Sequence, residues 1–334
     1  MTSVAPATGD TATPETAQQL SSDQFYDGLT TRNRGLVPSE LQDLIASTRI
    51  LVAGCGSIGG ATIQPLARMG YRHFTLADVG EYELNNLNRQ HAFVDALGTN
   101  KAEFAADVIT RINPHAECAV HTSGITAENV HHLAAQADII VDGVDVTTSS
   151  GLAAKLALHI AAIAARKPLV TAWDMAGMLA AQYFDYRIVD TIFNGEITAE
   201  EAASLTVWEV IFRIAPRRHI PAEMYRELRT GLKQDDYSVP QLSEAATQFG
   251  ALAVHMVNMI IAGKPVRPTV AVDVHDVTRP PVHQAAEALA KPWEFLRFAA
   301  SIGPTATWNG FTPATLFRIS RRLTTSTAPL WRTS

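Results

Sequence analysis

The stretch RILVAGCGSIGGATIQPLARMGY, Arg49 to Tyr71, constrains this chain more than any other: a short apolar run, a turn with glycine at 54, 56 and 59, then residues at helical spacing. A strand that passes through GxGxxG into a helix leaves backbone amides and the helix N-terminus open to phosphate, because no side chain stands between. HFTLAD follows as a second strand, ending on Asp78, whose carboxylate can accept from ribose hydroxyls. Together these make a βαβ unit and predict an adenine nucleotide at the carboxyl edge of a parallel sheet. The motif serves NAD and ATP alike.

The rhythm continues. NKAEFAADVITRIN reads as helix, ECAVHT as strand, ENVHHLAAQ as helix, DIIVDGVD as buried strand, GLAAKLALHIAAIAARK as a long helix and PLVTAW as strand. This alternation predicts an α/β fold: a Rossmann-like, doubly wound, mostly parallel sheet with helices on both faces, followed by a mainly helical insertion and a C-terminal extension. The expected divisions are a disordered leader over 1–22, a nucleotide-binding domain over 23–187, a substrate-side insertion with sheet completion over 188–290, and an extension over 291–334. A net charge of -6 argues against a nucleic-acid surface. The longest apolar run, FGALAVHMVNMIIAG, suits a buried helix better than a membrane span. Two cysteines, Cys55 and Cys118, exclude a disulfide framework and a cysteine-based zinc cluster, and they suit the cytoplasm.

NNLNRQ, Asn85 to Gln90, separates the two nucleotides. An arginine among short amides just past the ribose-reading position suits phosphate better than a hydride donor. GTNK then opens the next helix with Lys101, and DGVD brings Asp145 to the end of a later strand. Singly, each has an ordinary use as a surface ion-pair partner, a solvated helix residue or a helix cap. Together, Arg89 and Lys101 can neutralise charge developing at the α-phosphate of ATP while Asp145 holds magnesium.

RNRG, ILVAGCGSIGG, TLADVGEYELNNLNRQ, GTNKAE, INPH and IIVDGVD resemble the ThiF/MoeB/HesA family of adenylating enzymes, bacterial relatives of ubiquitin-activating enzymes, over about Arg32 to Arg187. The resemblance implies that Gly54, Gly56, Ser57 and Gly59 lie under the phosphates and that Asp78 holds the ribose. It further implies that Asn86, Arg89 and Lys101 contact the triphosphate and that Asp145 stands on the magnesium side. Arg34 would reach across a homodimer into the partner's site. Two positions depart from the family pattern: Gly80 replaces a second aspartate, and Val146 replaces an asparagine. The CxxC pairs that hold zinc in many members are missing, as is the cysteine that forms a thioester or persulfide in some, so no zinc site is expected and both cysteines read as small core residues.

The expected activity is therefore ATP-dependent adenylyl transfer to a carboxylate, with direct passage of the acyl group to a nucleophile. A small-molecule or peptide substrate is favoured over the C-terminus of a ubiquitin-like sulfur carrier. An NAD-dependent oxidoreductase is the more distant alternative, since no acid/base residue is placed for hydride transfer. The segment Thr171 to Met178 is expected to face the substrate. Arg213, Arg217, Arg218, Arg226 and Arg229 read as solvated helix residues or as a clamp for an acidic substrate. His121, His131 and His132 lack a carboxylate at ligand spacing.

Overall fold

The computed structural model describes residues 13–234 and 237–302. Most of the expected leader and the aromatic stretch beyond residue 302 lie outside the described residues. Within 13–22 there is a short helix, α1 (Pro14–Gln18). Helices α2 (Ser22–Thr30) and α3 (Ser39–Ser47) then lead into β1 (Arg49–Ala53).

From there strand and helix alternate: α4 (Ser57–Met69), β2 (His73–Ala77), α5 (Lys101–Ile112), β3 (Glu117–His121), α6 (Val130–Gln136), β4 (Ile139–Asp142), α7 (Ser149–Ala164) and β5 (Pro168–Met175). β6 (Met178–Asp185) turns back as a hairpin, α8 (Ala199–Ser204) and α9 (Val207–Ile214) follow, and after α10 (Ala222–Gly231) and α11 (Ser243–Ile261) the strand β7 (Thr269–Asp273) closes the sheet. The strand-like TVAVDVHDV does not continue as strand. Asp273 accepts from Asp276 N at 3.0 Å and caps α12 (Val274–Thr278), ahead of α13 (Pro281–Ile302).

The seven strands lie in the order β3-β2-β1-β4-β5-β6-β7. β1 to β5 pair in parallel, and β6 and β7 add antiparallel. Strand alternation sorts the core: Ile50 and Val52 of β1 point to one face, under α4, α5 and α11, whereas Leu51 and Ala53 point to the other, under α6 and α7. Ile192, Phe193, Ile197, Val210 and Ile214 of the insertion pack on that second face. Because β1 leads to a helix on one face and β4 to a helix on the other, the strand order reverses between them, and a crevice opens at their carboxyl ends.

Two compact units are present. One takes residues up to Ile220 and Pro240–Arg279, including the whole sheet; the other takes Pro221–Val239 and the residues from Pro280. In the second, Tyr225 of α10 stacks edge-on to Phe295 and lies against Phe298 of α13, while Arg226 pairs with Glu287 and Arg229 with Glu294.

Candidate active site

β1 ends in Gly54, whose φ of +83° lies in the left-handed region open to glycine. A Cβ there would overlap Gly143 at the end of β4, one on Gly59 would overlap the Gly54 carbonyl, and one on Gly143 would overlap both Gly54 and Gly59. Three glycines from two strand ends and the first turn of α4 thus meet backbone to backbone, directly at the switch point. Cys55 N donates to Asp78 Oδ2 at 2.6 Å and Gly80 N to Asp78 Oδ1 at 2.7 Å, so the carboxylate braces the turn with each oxygen.

Asn100 places Lys101. Its side-chain oxygen accepts from Ala102 N and Glu103 N as the cap of α5, and its amide donates to Asp78 O at 3.0 Å. The Lys101 ammonium consequently stands 5.7 Å from the Tyr82 ring centre and passes over Gly80, where a Cβ would be 3.5 Å from Nζ. The tighter neighbour of such a Cβ is Asp78 Oδ1 at 3.2 Å, the oxygen that Gly80 N–H already meets.

Arg89 comes to the same crevice from the loop after β2. Nη1 donates to Asn85 O and Asn88 Oδ1, whereas its buried Nε–H has no partner among the described residues. The neighbouring Gln90 lies against Gly56, and its buried Oε1 is likewise without a partner among the described residues. An orphaned buried donor costs about 1–3 kcal/mol unless a ligand satisfies it. Asp145 is exposed and accepts from Thr147 N and Oγ1, both at 2.8 Å. Arg89 lies within electrostatic reach of Asp145 and of Asp174.

Asp174, near the end of β5, was not singled out by sequence. Gln241 Nε2 donates to its two oxygens at 3.0 and 3.1 Å and Ser57 Oγ bonds Oδ2 at 3.2 Å; burial raises its carboxyl above the ordinary value, against these donors. It belongs to the Thr171–Met178 segment expected to face the substrate. A lone acid in an apolar strand end carries no motif, so only its neighbours reveal it.

A second group escaped sequence reading altogether. Asp142 at the end of β4 is fully buried, with Lys155 Nζ at 2.5 Å and His159 Nε2 at 3.0 Å, and His159 Nδ1 is 2.6 Å from Tyr186 OH. Burial pushes the Asp142 carboxyl up, but the Lys155 charge and the His159 hydrogen bond outweigh it and hold it below its ordinary value. Burial in turn lowers His159. Lys155 and His159 stand four apart on the otherwise apolar α7, a signal present in LAAKLALHIAA.

The remaining candidates are dispersed. Asn86 is buried and tied into its own turn, bonding Glu83 N and Asn85 Oδ1. Arg34 lies on an exposed surface paired with Asp27. Arg213 pairs with Glu201 and Arg217 with Glu196, so the insertion's arginines are engaged within the chain. Burial pushes the Cys55 thiol well above its usual range and Cys118 to about 11. Among the described residues no group of three His, Cys, Asp or Glu side chains could hold a metal, and no helix is long and apolar enough to cross a membrane.

A glycine cradle at the switch point of a doubly wound sheet, flanked by a lysine and an arginine with an unmet donor, defines a nucleotide-binding protein of the Rossmann-like α/β class. More narrowly, the chain belongs to the ThiF family, whose profile matches residues 30–262. It is 34% identical over 170 residues to the molybdopterin-synthase adenylyltransferase of Escherichia coli, covering 48% of this chain and 66% of that one. Among solved structures, PaaA superposes with a TM-score of 0.54 at 15% identity, covering 80% of this chain and 82% of that one. MccB of E. coli with MccA-N7isoASN gives 0.53 at 16%, covering 75% and 69%. The chain spans less than two thirds of the length of the curated relatives it matches.

Proposed function

We propose that this protein is an ATP-dependent adenylyltransferase that activates a carboxylate and passes the acyl group directly to a nucleophile. The observation that carries the reading is the buried Arg89 Nε–H without an acceptor beside the glycine turn, a donor suited to a phosphate oxygen. A substrate carboxylate oxygen attacks the α-phosphorus and the bond to the β-phosphate breaks, its electron pair leaving with pyrophosphate. A nucleophile then attacks the acyl carbon and AMP departs. Gly54, Gly56, Ser57 and Gly59 cradle the phosphates, Asn86, Arg89 and Lys101 meet their charge, and Asp78 serves the ribose side with its remaining lone pairs. Magnesium fits the donor set, since that ion needs only one or two carboxylates beside the phosphates and Asp145 offers exposed hard oxygens. Bound there, the ion would neutralise phosphate charge.

A small-molecule or peptide carboxylate is the favoured substrate. Cys55 is buried and Cys118 half-buried, and burial raises both thiols above their usual range, which disfavours an acyl-carrying thioester on either. Relatives named molybdopterin-synthase adenylyltransferase and SAMP-activating enzyme E1 supply the competing reading, activation of a carrier protein's C-terminus. In this scheme residues 23–187 form the nucleotide domain and 188–290 the substrate side, and the protein works in the cytoplasm. Homodimerisation is part of the reading: Arg34 is exposed next to Leu36, 90% exposed, and Val79, Leu84, Phe93 and Val94 are exposed too. If sites are shared, mixing Arg34→Ala with Lys101→Ala subunits restores activity at one site per heterodimer.

The deciding experiment offers a panel of carboxylates and measures exchange of labelled pyrophosphate into ATP, beside calorimetry with ATP and with NAD. Tight NAD binding without ATP binding sinks the proposal. For direct transfer, the Cys55→Ala, Cys118→Ala double variant is expected to keep turnover; a thiol-labile acyl adduct on the unaltered protein overturns that step.

A further inference from the structure

Asp142 differs from Asp78, Asp145 and Asp174 at the carboxyl edge in being fully buried. Its neighbours form a closed set of hydrogen bonds. Phe193 N–H donates to Tyr186 Oη at 3.1 Å, and Tyr186 OH and His159 Nδ1 are joined at 2.6 Å. With the tyrosine donating to Nδ1, His159 is neutral and gives its Nε2–H to Asp142 Oδ2. Lys155 Nζ reaches the same oxygen and also Thr171 Oγ1 at 3.3 Å, and the Thr171 hydroxyl donates to Asp142 O at 2.7 Å. Every polar atom in this chain of contacts has a partner, and Asp142 and Lys155 cancel each other's charge.

An ion pair in this place adds no more stability than apolar side chains of similar volume would. Its location is the informative part. Asp142 Oδ1 accepts from Val144 N at 3.0 Å, while Gly143 N donates to Ala53 O at 2.7 Å. The carboxylate thereby fixes the two-residue turn between β4 and Asp145. Lys155 itself is turned away from solvent, with 4% of its side chain exposed.

We propose that Lys155, with His159 and Thr171, is a positioning residue that sets Asp145 toward magnesium-bound nucleotide by holding Asp142 as the anchor of the Gly143–Val144 turn. This rests on the nucleotide and magnesium reading given above. Residues behind a metal's direct ligands typically change metal affinity about 10–100-fold when removed.

The test is calorimetric titration of ATP into the full chain, once with EDTA and once with excess magnesium, the ratio of the two affinities being the metal increment. Lys155→Met is expected to cut that increment by about tenfold or more and to leave the EDTA affinity unchanged. Asp142→Asn in the Lys155→Met background is expected to restore it, because the asparagine oxygen still accepts from Val144 N–H and no charge is stranded. Thr171→Val is the second probe: it breaks the hydroxyl link from Lys155 to the Asp142 carbonyl without burying a charge, and it is expected to lower the increment by a smaller factor. A folded Lys155→Met protein with an intact increment overturns the proposal. So does an intact increment in Thr171→Val if Lys155→Met fails to fold, and so does a double variant that folds but recovers nothing. Wild-type protein that binds ATP with no metal increment removes Asp145 from the metal and the proposal with it. Wild-type protein that binds no ATP overturns the nucleotide reading first, and the positioning role falls with it.

Discussion

The crevice has two sides built by different means. On the β1–β2 side, backbone does the work: the glycines at 54, 56 and 59, the amides of Cys55 and Gly80 on Asp78, and the Asn100 cap that aims Lys101. On the β4–β5 side, side chains from separate elements do it: Asp142, Lys155, His159, Thr171 and Tyr186, with Asp174 held by Gln241 and Ser57. A site made of backbone needs particular residues at particular spacing, and leaves a motif. A site made of side chains meeting through the core needs only that the fold bring them together.

Perturbing the two sides is expected to produce different losses. The largest expected effect is on the side-chain half: Lys155→Ala strands a buried carboxylate and lowers stability by about 3–5 kcal/mol in urea unfolding. An unchanged midpoint would show that Asp142 is paired in some other way. On the backbone half, Arg89→Ala is expected to reduce pyrophosphate exchange by about a hundred- to a thousandfold with the urea midpoint unmoved. A parallel fall in stability would make Arg89 structural and blur the contrast.

The smallest effect is a pH dependence to which His159 of the side-chain half contributes, alongside His91 after β2, which burial also holds below its ordinary value. His159 faces Asp142, Lys155 and Tyr186 and is held below its ordinary value of 6.5. As pH falls through that value the unfolded chain takes up the proton first, so native stability declines below it and is full above it. The Asp142 contribution follows at lower pH, being present above the ordinary carboxylate value of 3.8 and lost as acid titrates the folded group. Urea midpoints from pH 7 to pH 5 read the first step. His159→Gln is expected to reduce the slope, leaving the His91 share, and an unaltered slope would assign the whole effect to His91 or another group.

The same contrast explains what the sequence made legible. Strand, glycine turn and helix at Arg49–Met69, Asp78 at a strand end and Lys101 behind its cap could all be placed, because short-range geometry dictates their residue types. Asp174 and the Lys155–His159 pair could not, since their partners lie far away in the chain: Gln241 for the one, Asp142, Thr171 and Tyr186 for the other. β6 was hidden for a related reason. MLAAQYFD is buried over most of its length and lacks the alternation that marks a half-exposed strand. The insertion's arginines invited a ligand reading because their acidic partners, Glu196, Glu201, Glu287 and Glu294, cannot be matched to them by spacing.

The contact among Gly54, Gly59 and Gly143 bears on the order in which the molecule acquires its shape. Gly54 and Gly59 belong to one local turn, but Gly143 arrives from β4, after β2, α5, β3 and α6 have intervened. Closing so long a loop is slow relative to forming the first βαβ unit. The phosphate cradle is thus complete only when β4 has docked beside β1, and a nascent or partly folded chain that already holds its glycine turn offers nucleotide only half a floor. Under the proposed function, a nucleotide rewards the finished sheet and does not template its beginning.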